Sequence, residues 1–320
     1  MQLLGRRCMI SGMDPDERPV DGVLIRSLSP RDHEAVADLF AFAGRSPADA
    51  LHEPSRCVTA VAGPLEKVIG AGYWWHVRLE KFRMDLLVAP EWRRRGVGSG
   101  LLGHVVSEAR AAGAATLQAR AGSDDQESLD FLGARGFVET MRMHRLVLDL
   151  AAADLTTHEH ILARLAGQGI VIVSLDHELT GREDCWEEFC RLYNAAREGW
   201  PDPDPGPVRA LTPPELVRLH QASAEEYGVG TEQCFMAVRG DRYIGFTGAV
   251  GTAVEPAFRG QGIATALKVR AVMSARDHGV ATLTTHSGNP AMVQVNQRVG
   301  FRLVSTEVRL VRMLAPDDVG

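Results

Sequence analysis

The sequence predicts an α+β protein made of two tandem domains of one fold, each a mixed, mainly antiparallel sheet flanked by helices. Three observations predict it. A turn of the form Arg-x-x-Gly-x-(Gly/Ala) occurs twice, as Arg93-Arg94-Arg95-Gly96-Val97-Gly98 and as Arg259-Gly260-Gln261-Gly262-Ile263-Ala264. A Val-x-Pro precedes each copy (Val88-Ala89-Pro90, Val254-Glu255-Pro256), and a helical pattern follows each. A second landmark, Gly136-Phe137, returns as Gly300-Phe301 at a spacing of 164 residues, against 166 from Gly96 to Gly262. The third observation is the order of strand-like and helix-like segments, which is the same in both halves. Ordered landmarks recurring at nearly one interval mark a tandem duplication.

The elements follow in order. Residues 1–21 are polar and interrupted by proline, and read as a flexible tail. In the first domain, 22–150, a strand over 22–28 leads to Ser29-Pro30, a helix start with apolar positions at Val36, Leu39 and Phe40. Runs at 57–62, 68–77 and 83–88 read as strands. After the first turn, Leu101, Leu102, Val105, Val106, Ala109 and Ala112 recur at helical spacing, and Gly113 stops the helix. A short strand (115–119), a helix (125–134) and a pair of strands within 137–150 complete the domain. Residues 151–167 read as a linker with His158 and His160 on its surface.

The second domain, 168–320, repeats the scheme. A strand (169–175) and a helix (183–197) precede a loop rich in Pro and Asp at 200–207 and a helix opening at Thr212-Pro213. Strands at 233–238, 243–249 and 252–254 lead into the second turn. A helix to His278, a strand (281–285), a helix from Asn289 and a strand run over 301–313 close the chain.

Composition narrows the function classes. The chain has 320 residues, 45% hydrophobic and 24% charged, as in globular proteins of two ordinary domains. Its net charge of −6 gives no global attraction to nucleic acid, so the Arg93–Arg95 run suits a small polyphosphate better than a polymer. The five cysteines are scattered without Cys-x-x-Cys, which fits free thiols in a reducing cytoplasm. Cys185 and Cys190, five apart, are a poor zinc pattern, and no metal is expected. No apolar run reaches membrane-spanning length and no signal-peptide core is seen, so no membrane partner is expected. Either a monomer or a homodimer is compatible with this reading.

The repeated turn carries the chemistry. A helix N-terminus presents N–H groups without intrahelical partners and the positive end of a dipole, so it attracts phosphate. Gly96, Gly98 and Gly262 let the backbone approach an anion closely, and the preceding arginines add forked cations. A cofactor bearing a pyrophosphate is the natural guest; an ordinary strand-to-helix connection with a basic face is the alternative for a single copy. Gly98-Ser99-Gly100-Leu101-Leu102-Gly103 also fits the dinucleotide motif Gly-x-Gly-x-x-Gly, with Asp124 downstream. That motif needs its first glycine directly after the strand. Here Glu91–Arg95 intervene, and the second repeat lacks the triplet.

With these turns in this order of elements, the chain resembles the GNAT superfamily of acetyl-CoA-dependent N-acetyltransferases, twice over. The second half is the closer match: Thr252-Ala-Val-Glu-Pro-Ala-Phe-Arg-Gly-Gln-Gly-Ile-Ala264, then Asn289-Pro-Ala-Met292 and Val295-Asn296-Gln-Arg-Val-Gly-Phe301. It is similar to the tandem GNAT group, a broad class that includes mycothiol synthase. The resemblance implies two GNAT-like domains, acetyl-CoA as acyl donor and a primary amine of a small molecule as acceptor, joined by direct attack in a ternary complex. It assigns cofactor binding to Val88 with Arg93, Arg94, Arg95, Gly96, Val97, Gly98 and Ser99. In the second half it assigns Val254 with Arg259, Gly260, Gln261, Gly262, Ile263 and Ala264, together with Asn289 and Asn296. It also implies a splay between the strand before the turn and the next strand, which admits the pantetheine arm.

The family's acid–base groups carry over incompletely. Its usual tyrosine, four residues before the Gly-Phe glycine, is Leu132 in the first half and Asn296 in the second, which leaves Asn296 as a donor to the leaving thiolate. Its asparagine eleven residues before that glycine is Asp125 in the first half and Asn289 in the second. An acceptor ammonium with a pKa near about 10.4 is only about one part in a thousand neutral at about pH 7.4, so a base is needed, worth roughly 4 kcal/mol. Asp85, three residues before Val88, stands where the family often has a carboxylate; it also fits an ordinary strand residue. Gly251 holds that place in the second half, where Glu225, Glu226, Glu232 and His286 are the other candidates. Two alternatives stay open: an acyl-CoA-binding sensor or scaffold with one or both halves inactive, and acetylation of protein N-termini.

Overall fold

Runs of β-branched and aromatic residues set off by Gly, Pro and Asp become strands throughout the computed structural model, which describes residues 22–44, 51, 53–78, 80–197, 200 and 209–314. The expected tail (1–21), Cys8 and most of the Pro- and Asp-rich loop lie outside these residues. In the first half the elements are β1 (Val23–Ser27), α1 (His33–Phe42), β2 (Cys57–Ala62), β3 (Lys67–Arg78) and β4 (Lys81–Val88). Then come α2 (Val97–Ala111), β5 (Thr116–Gly122), α3 (Gln126–Gly133) and β6 (Val138–Asp149). The second half opens with α4 (Glu159–Gly167), β7 (Ile170–Ser174), α5 (Leu175–Gly181), α6 (Cys185–Arg197) and α7 (Pro213–Tyr227). It continues with β8 (Phe235–Arg239), β9 (Arg242–Gly248), β10 (Gly251–Val254), α8 (Ile263–Asp277), β11 (Thr282–Ser287), α9 (Pro290–Arg298) and β12 (Arg302–Met313).

Three elements differ from the sequence reading. The expected pair of strands within 137–150 is one twelve-residue strand, β6, because Val138–Asp149 contains no Gly, Pro or Asn at which to turn. The stretch read as a linker holds α4, whose Ile161, Leu162 and Leu165 form an apolar face; Leu165 is fully buried beside Ile170, Ile263, Ala266 and Leu267. A short helix, α5, begins where a strand was expected to end, with the Ser174 hydroxyl accepting from the His177 N–H at its start.

The chain divides into two compact units that cross the halves of the sequence. One comprises Met1–Ala121, Asp125–Glu139 and Arg309–Gly320; the other comprises Gly122–Asp124 and Thr140–Val308. In the first unit β1, β2, β3 and β4 form antiparallel pairs, and β5 joins β4 in parallel. The end of the chain takes the place beside β5, where the Leu314 N–H donates to the Ala115 carbonyl at 2.8 Å. Helix α2 lies on this sheet through Leu101, Leu102, Val105 and Ala109. Burying each of the larger of these side chains stabilises the unit by roughly 1.5–3 kcal/mol. The approach is close: a side-chain carbon at Gly70 or Gly72 would meet Leu101 or Val105 at 3.0 Å.

In the second unit β7, β8, β9 and β10 form an antiparallel sheet in the order β10-β9-β8-β7. Helix α8 crosses it over Gly245, where an added carbon would meet Leu267 at 3.2 Å. The same unit contains β6 paired antiparallel with β11, from Thr282↔Asp149 to Ser287↔His144. Each unit is therefore completed by a segment from the other half of the sequence.

Both units open at the strand that leads into the turn. In the first, β4 pairs with β5 only over Lys81–Arg83, opposite Thr116–Gln118, and then runs on to Val88 without it. In the second, β10 and β11 are not paired at all. An edge freed in this way leaves backbone N–H and C=O groups to meet an extended ligand.

Candidate functional site

The two turns are copies in backbone geometry as well as in sequence. Each begins with a short 3-10 turn, Pro90–Trp92 and Pro256–Phe258. Arg93 (φ −66°, ψ 159°) and Arg259 (φ −65°, ψ 158°) then take the same extended conformation. Gly96 (φ 86°) and Gly262 (φ 84°) cap α2 and α8 in the left-handed region, where a side chain is disfavoured. The arginine side chains match too: Arg93 Nε donates to the Val88 carbonyl at 3.3 Å, and Arg259 Nε donates to the Val254 carbonyl at 3.1 Å. One position differs in kind. Arg94 adopts φ 59° where the second copy has Gly260 at φ 78°, so the first turn holds a non-glycine residue in a conformation that costs about 1 kcal/mol.

Around the second turn lies a cavity of about 650 Å³, within the range typical of cofactor pockets. Its walls come from four elements. β10 contributes Thr252, Ala253 and Val254; the turn and the start of α8 contribute Phe258, Arg259, Gly260 and Gly262–Thr265. α9 contributes Ala291, Met292, Val295 and Arg298 behind its cap Asn289, while α4 and the residues before it contribute His158, His160, Ile161 and Arg164. Trp200 closes one side, its ring 3.1 Å from where a side-chain carbon at Gly251 would stand. No carboxylate lines the cavity among the described residues, whereas three arginines and two histidines do. That charge pattern favours a polyanion.

In the first unit, side chains of the protein itself pack against the start of α2. Phe131 of α3, which corresponds to Val295, lies so close to the start of α2 that a carbon at Gly98 would meet its ring at 3.2 Å. Arg135 stacks on that ring, 3.9 Å from its centroid, and donates to the Ser99 hydroxyl.

The candidate base Asp85 is buried on β4, and both of its oxygens are engaged by the Arg120 guanidinium of β5, at 3.2 and 3.0 Å. This bidentate pair spans β4 and β5 beyond their last backbone pairing. Asn289 and Asp125 share a structural role. Each caps a helix with its side chain, Asn289 Oδ1 accepting from the Ala291 N–H at 2.9 Å and Asp125 from the Ser128 N–H at 3.1 Å. Asn296 lies off the cavity. It is 1% exposed, with Oδ1 lacking a hydrogen-bond partner among the described residues. Glu225, Glu226, Glu232 and His286 are likewise absent from the described cavity wall.

Sequence reasoning missed the contribution of α4. His158 Nε2 donates to the Arg298 carbonyl at 2.9 Å, and Arg164 Nη2 donates to the Gln261 carbonyl at 2.9 Å, so the start of α4 and its second turn fasten onto α9 and onto the second turn motif. The signal for this was an apolar triplet, Ile161, Leu162 and Leu165, inside a stretch with no motif. Cys57, Cys185, Cys190 and Cys234 are free and buried. Burial pushes the Cys57 thiol up to about 12 and the Cys234 thiol up to about 11, which keeps both protonated and unreactive. No group of three or more His, Cys, Asp or Glu is gathered for a metal among the described residues, and no described helix is long and apolar enough to cross a membrane.

Comparison with known proteins adds independent evidence. The profile of the acetyltransferase (GNAT) family matches twice, at residues 24–137 and 186–301. The mycothiol acetyltransferase of Cellulomonas flavigena is 26% identical over 272 residues, which cover 78% of this chain and 72% of that protein. Among solved structures, a GCN5-related N-acetyltransferase from Sphaerobacter thermophilus aligns over 92% of this chain and 96% of its own, with a TM-score of 0.66 and 17% identity. A tandem GNAT protein from the clavulanic acid biosynthesis pathway aligns over 92% of this chain and all of its own, with a TM-score of 0.59 and 20% identity. At these identities the two structural likenesses speak to the fold.

Proposed function

The chain belongs to the acetyltransferase (GNAT) family as a tandem member, and from that premise we propose that its second unit transfers the acetyl group of acetyl-CoA to a primary amine of a small molecule, by direct attack in a ternary complex. The observation that carries this reading is the cavity of about 650 Å³ that opens on the second turn without a carboxylate in its described wall. The residues present fit the cofactor. The turn from Arg259 to Ala264 offers helix N–H groups and a cation to the pyrophosphate. Val254 ends a strand whose outer edge is unpaired, and so offers backbone groups to the pantetheine arm. Asn289 and Val295 form the facing wall on α9.

Acetyl-CoA supplies an acyl group already activated as a thioester. The protein's part is to hold that group and the amine together and to keep water out, which can account for several powers of ten in rate. Trp200, packed on Tyr193 and Phe246, is the apolar wall at the β10 end of the cavity and the natural limit for the acyl group. With no carboxylate in the described wall, the amine proton leaves through water.

A second reading applies to the first unit: it binds acyl-CoA weakly, or is kept for structure, without turnover. Phe131 and Arg135 over the start of α2, and the Asp85–Arg120 pair across β4 and β5, favour it.

The test is acetyl-CoA-dependent thiol release against a panel of primary amines, with Gly262→Glu and Gly96→Glu as separate variants. Gly262→Glu places a carboxylate and a strained φ at the second turn and should abolish release. Gly96→Glu should leave most of it. The reverse pattern would move catalysis to the first unit, and release by neither the wild type nor the variants with any amine would leave a binding protein.

A further inference from the structure

Helix α4 joins the two repeats, and its sequence position alone marks it as a connector. The second unit treats it as part of the site. Its apolar face, Ile161, Leu162 and Leu165, is packed against residues of β7 and α8, and Leu165 is fully buried. This packing fixes the helix in rotation, and Arg164, next to Leu165, is turned onto the phosphate turn.

The position of that guanidinium is specific. Arg164 Nη2 donates to the Gln261 carbonyl at 2.9 Å and stands 2.7 Å from where a side-chain carbon at Gly262 would be. It therefore lies over the two peptides that lead into α8, on the cavity side. Among the described residues this is its one hydrogen bond, and no carboxylate pairs with it. A guanidinium has five N–H donors in a rigid fork. Four are unused at a point where helix N–H groups already converge. Arg259, also in the cavity wall, is in a similar condition, with Nε on the Val254 carbonyl.

We infer that Arg164 is a pyrophosphate-binding residue of the second site, supplied by the helix that connects the repeats and acting on the cofactor together with Arg259. The inference rests on the reading of the second unit as the acetyl-CoA site. A pyrophosphate at the turn is a stronger acceptor than the Gln261 carbonyl, so the guanidinium exchanges one neutral bond for charge-assisted, forked ones. Among the described residues the first repeat shows no counterpart. No segment equivalent to α4 precedes β1 among the described residues, and Arg135 instead reaches Ser99 from α3. The two sites would then differ in affinity through a residue outside the motif they share.

The experiment compares the full-length wild type with Arg164→Gln and Arg164→Lys. Calorimetry measures binding of acetyl-CoA and of acetyl-pantetheine, which carries the thioester arm without the pyrophosphate. Arg164→Gln should weaken acetyl-CoA binding about ten- to hundredfold, since charged hydrogen bonds are lost. It should leave acetyl-pantetheine binding unchanged. Arg164→Lys should recover part of the loss, because it keeps the charge without the fork. In turnover, KM for acetyl-CoA should rise while kcat stays near its wild-type value, as the contact is remote from the reacting carbonyl. Equal acetyl-CoA affinity in wild type and Arg164→Gln would overturn the inference. Tighter binding by Arg164→Gln would also overturn it, and would make the arginine an occluding latch. Failure of the wild type itself to bind acetyl-CoA would instead overturn the functional reading beneath it. Parallel loss of both ligands with a lower melting temperature would show that Arg164 only holds α4 in place.

Discussion

Asn296 sits at the position where the family's tyrosine was expected, yet it is buried, with Oδ1 unpaired among the described residues. The register from Gly300 picks out the position, but the helix sets its direction. Successive residues of α9 are rotated by about 100°, so Val295 faces the cavity while Asn296 turns into the packing beneath the helix. Leu132, buried in α3, holds the corresponding place in the first unit and shows that this environment accepts a hydrocarbon. A buried acceptor without a partner costs about 1–3 kcal/mol. Asn296→Leu should therefore raise the stability of the protein, by up to about 1 kcal/mol in denaturant titration once the tighter fit is counted, and should hold kcat within about twofold. A fall in kcat of tenfold or more with stability intact would return Asn296 to the mechanism as a donor to the thiolate. Burial direction is what a single sequence does not show at such a position, because Asn is common both in sites and under helices.

At the scale of elements, the helices that follow the two turns were legible because their signal is local: apolar spacing at Leu101, Leu102, Val105 and Val106, with glycines at both ends. The role of α4 was not legible, since three apolar residues between polar ones do not say what they pack against. The second unit has a further feature of this kind in α7. His220 is buried there, with its Nε2 3.3 Å from the Cys234 Sγ and its ring edge-on to Trp186 at 5.6 Å. Burial lowers the imidazole's pKa below its ordinary value of 6.5, so the fold holds it neutral. In the unfolded chain the same group takes up a proton below pH 6.5. The unfolded state thus binds more protons in that window, and stability present above pH 6.5 is lost as the pH falls below it. Urea midpoints measured from about pH 7 down to about pH 5 should decline, and His220→Phe should flatten part of that decline. If the variant follows the wild-type curve point for point, His220 is not the group that sets this dependence.

At the scale of the whole molecule, the duplication was fully legible and the completion of the units was not. Two copies of a turn and of Gly-Phe are written in the chain, but the partner of a strand is a long-range choice that leaves no local mark. β6 was expected to pair within its own half; instead it pairs with β11 and belongs with the second unit, while the segment after Val308 belongs with the first. The sequence-level boundary at 150 would therefore cut both units. A chain divided into 22–153 and 155–320 gives a first part lacking the segment beside β5, with the Ala115 carbonyl left without the Leu314 N–H. It also gives a second part whose β11 has lost all six of its pairings to β6. Each part exposes an unpaired strand edge above an opened apolar layer, the arrangement that leads to aggregation or to pairing with another chain. Leu146 and Leu148, buried with Val269, Val272 and Phe301, would be withdrawn from the second unit at the same time; losing two such side chains costs on the order of 3–6 kcal/mol, comparable with the whole stability of a domain. Expressed alone, neither part should show a cooperative thermal transition. Co-expressed, they should assemble one to one and recover acetyl-CoA-dependent thiol release. If either part alone melts cooperatively near the temperature of the intact protein, the exchanged segments are dispensable, and the repeats are independent domains joined by a helix.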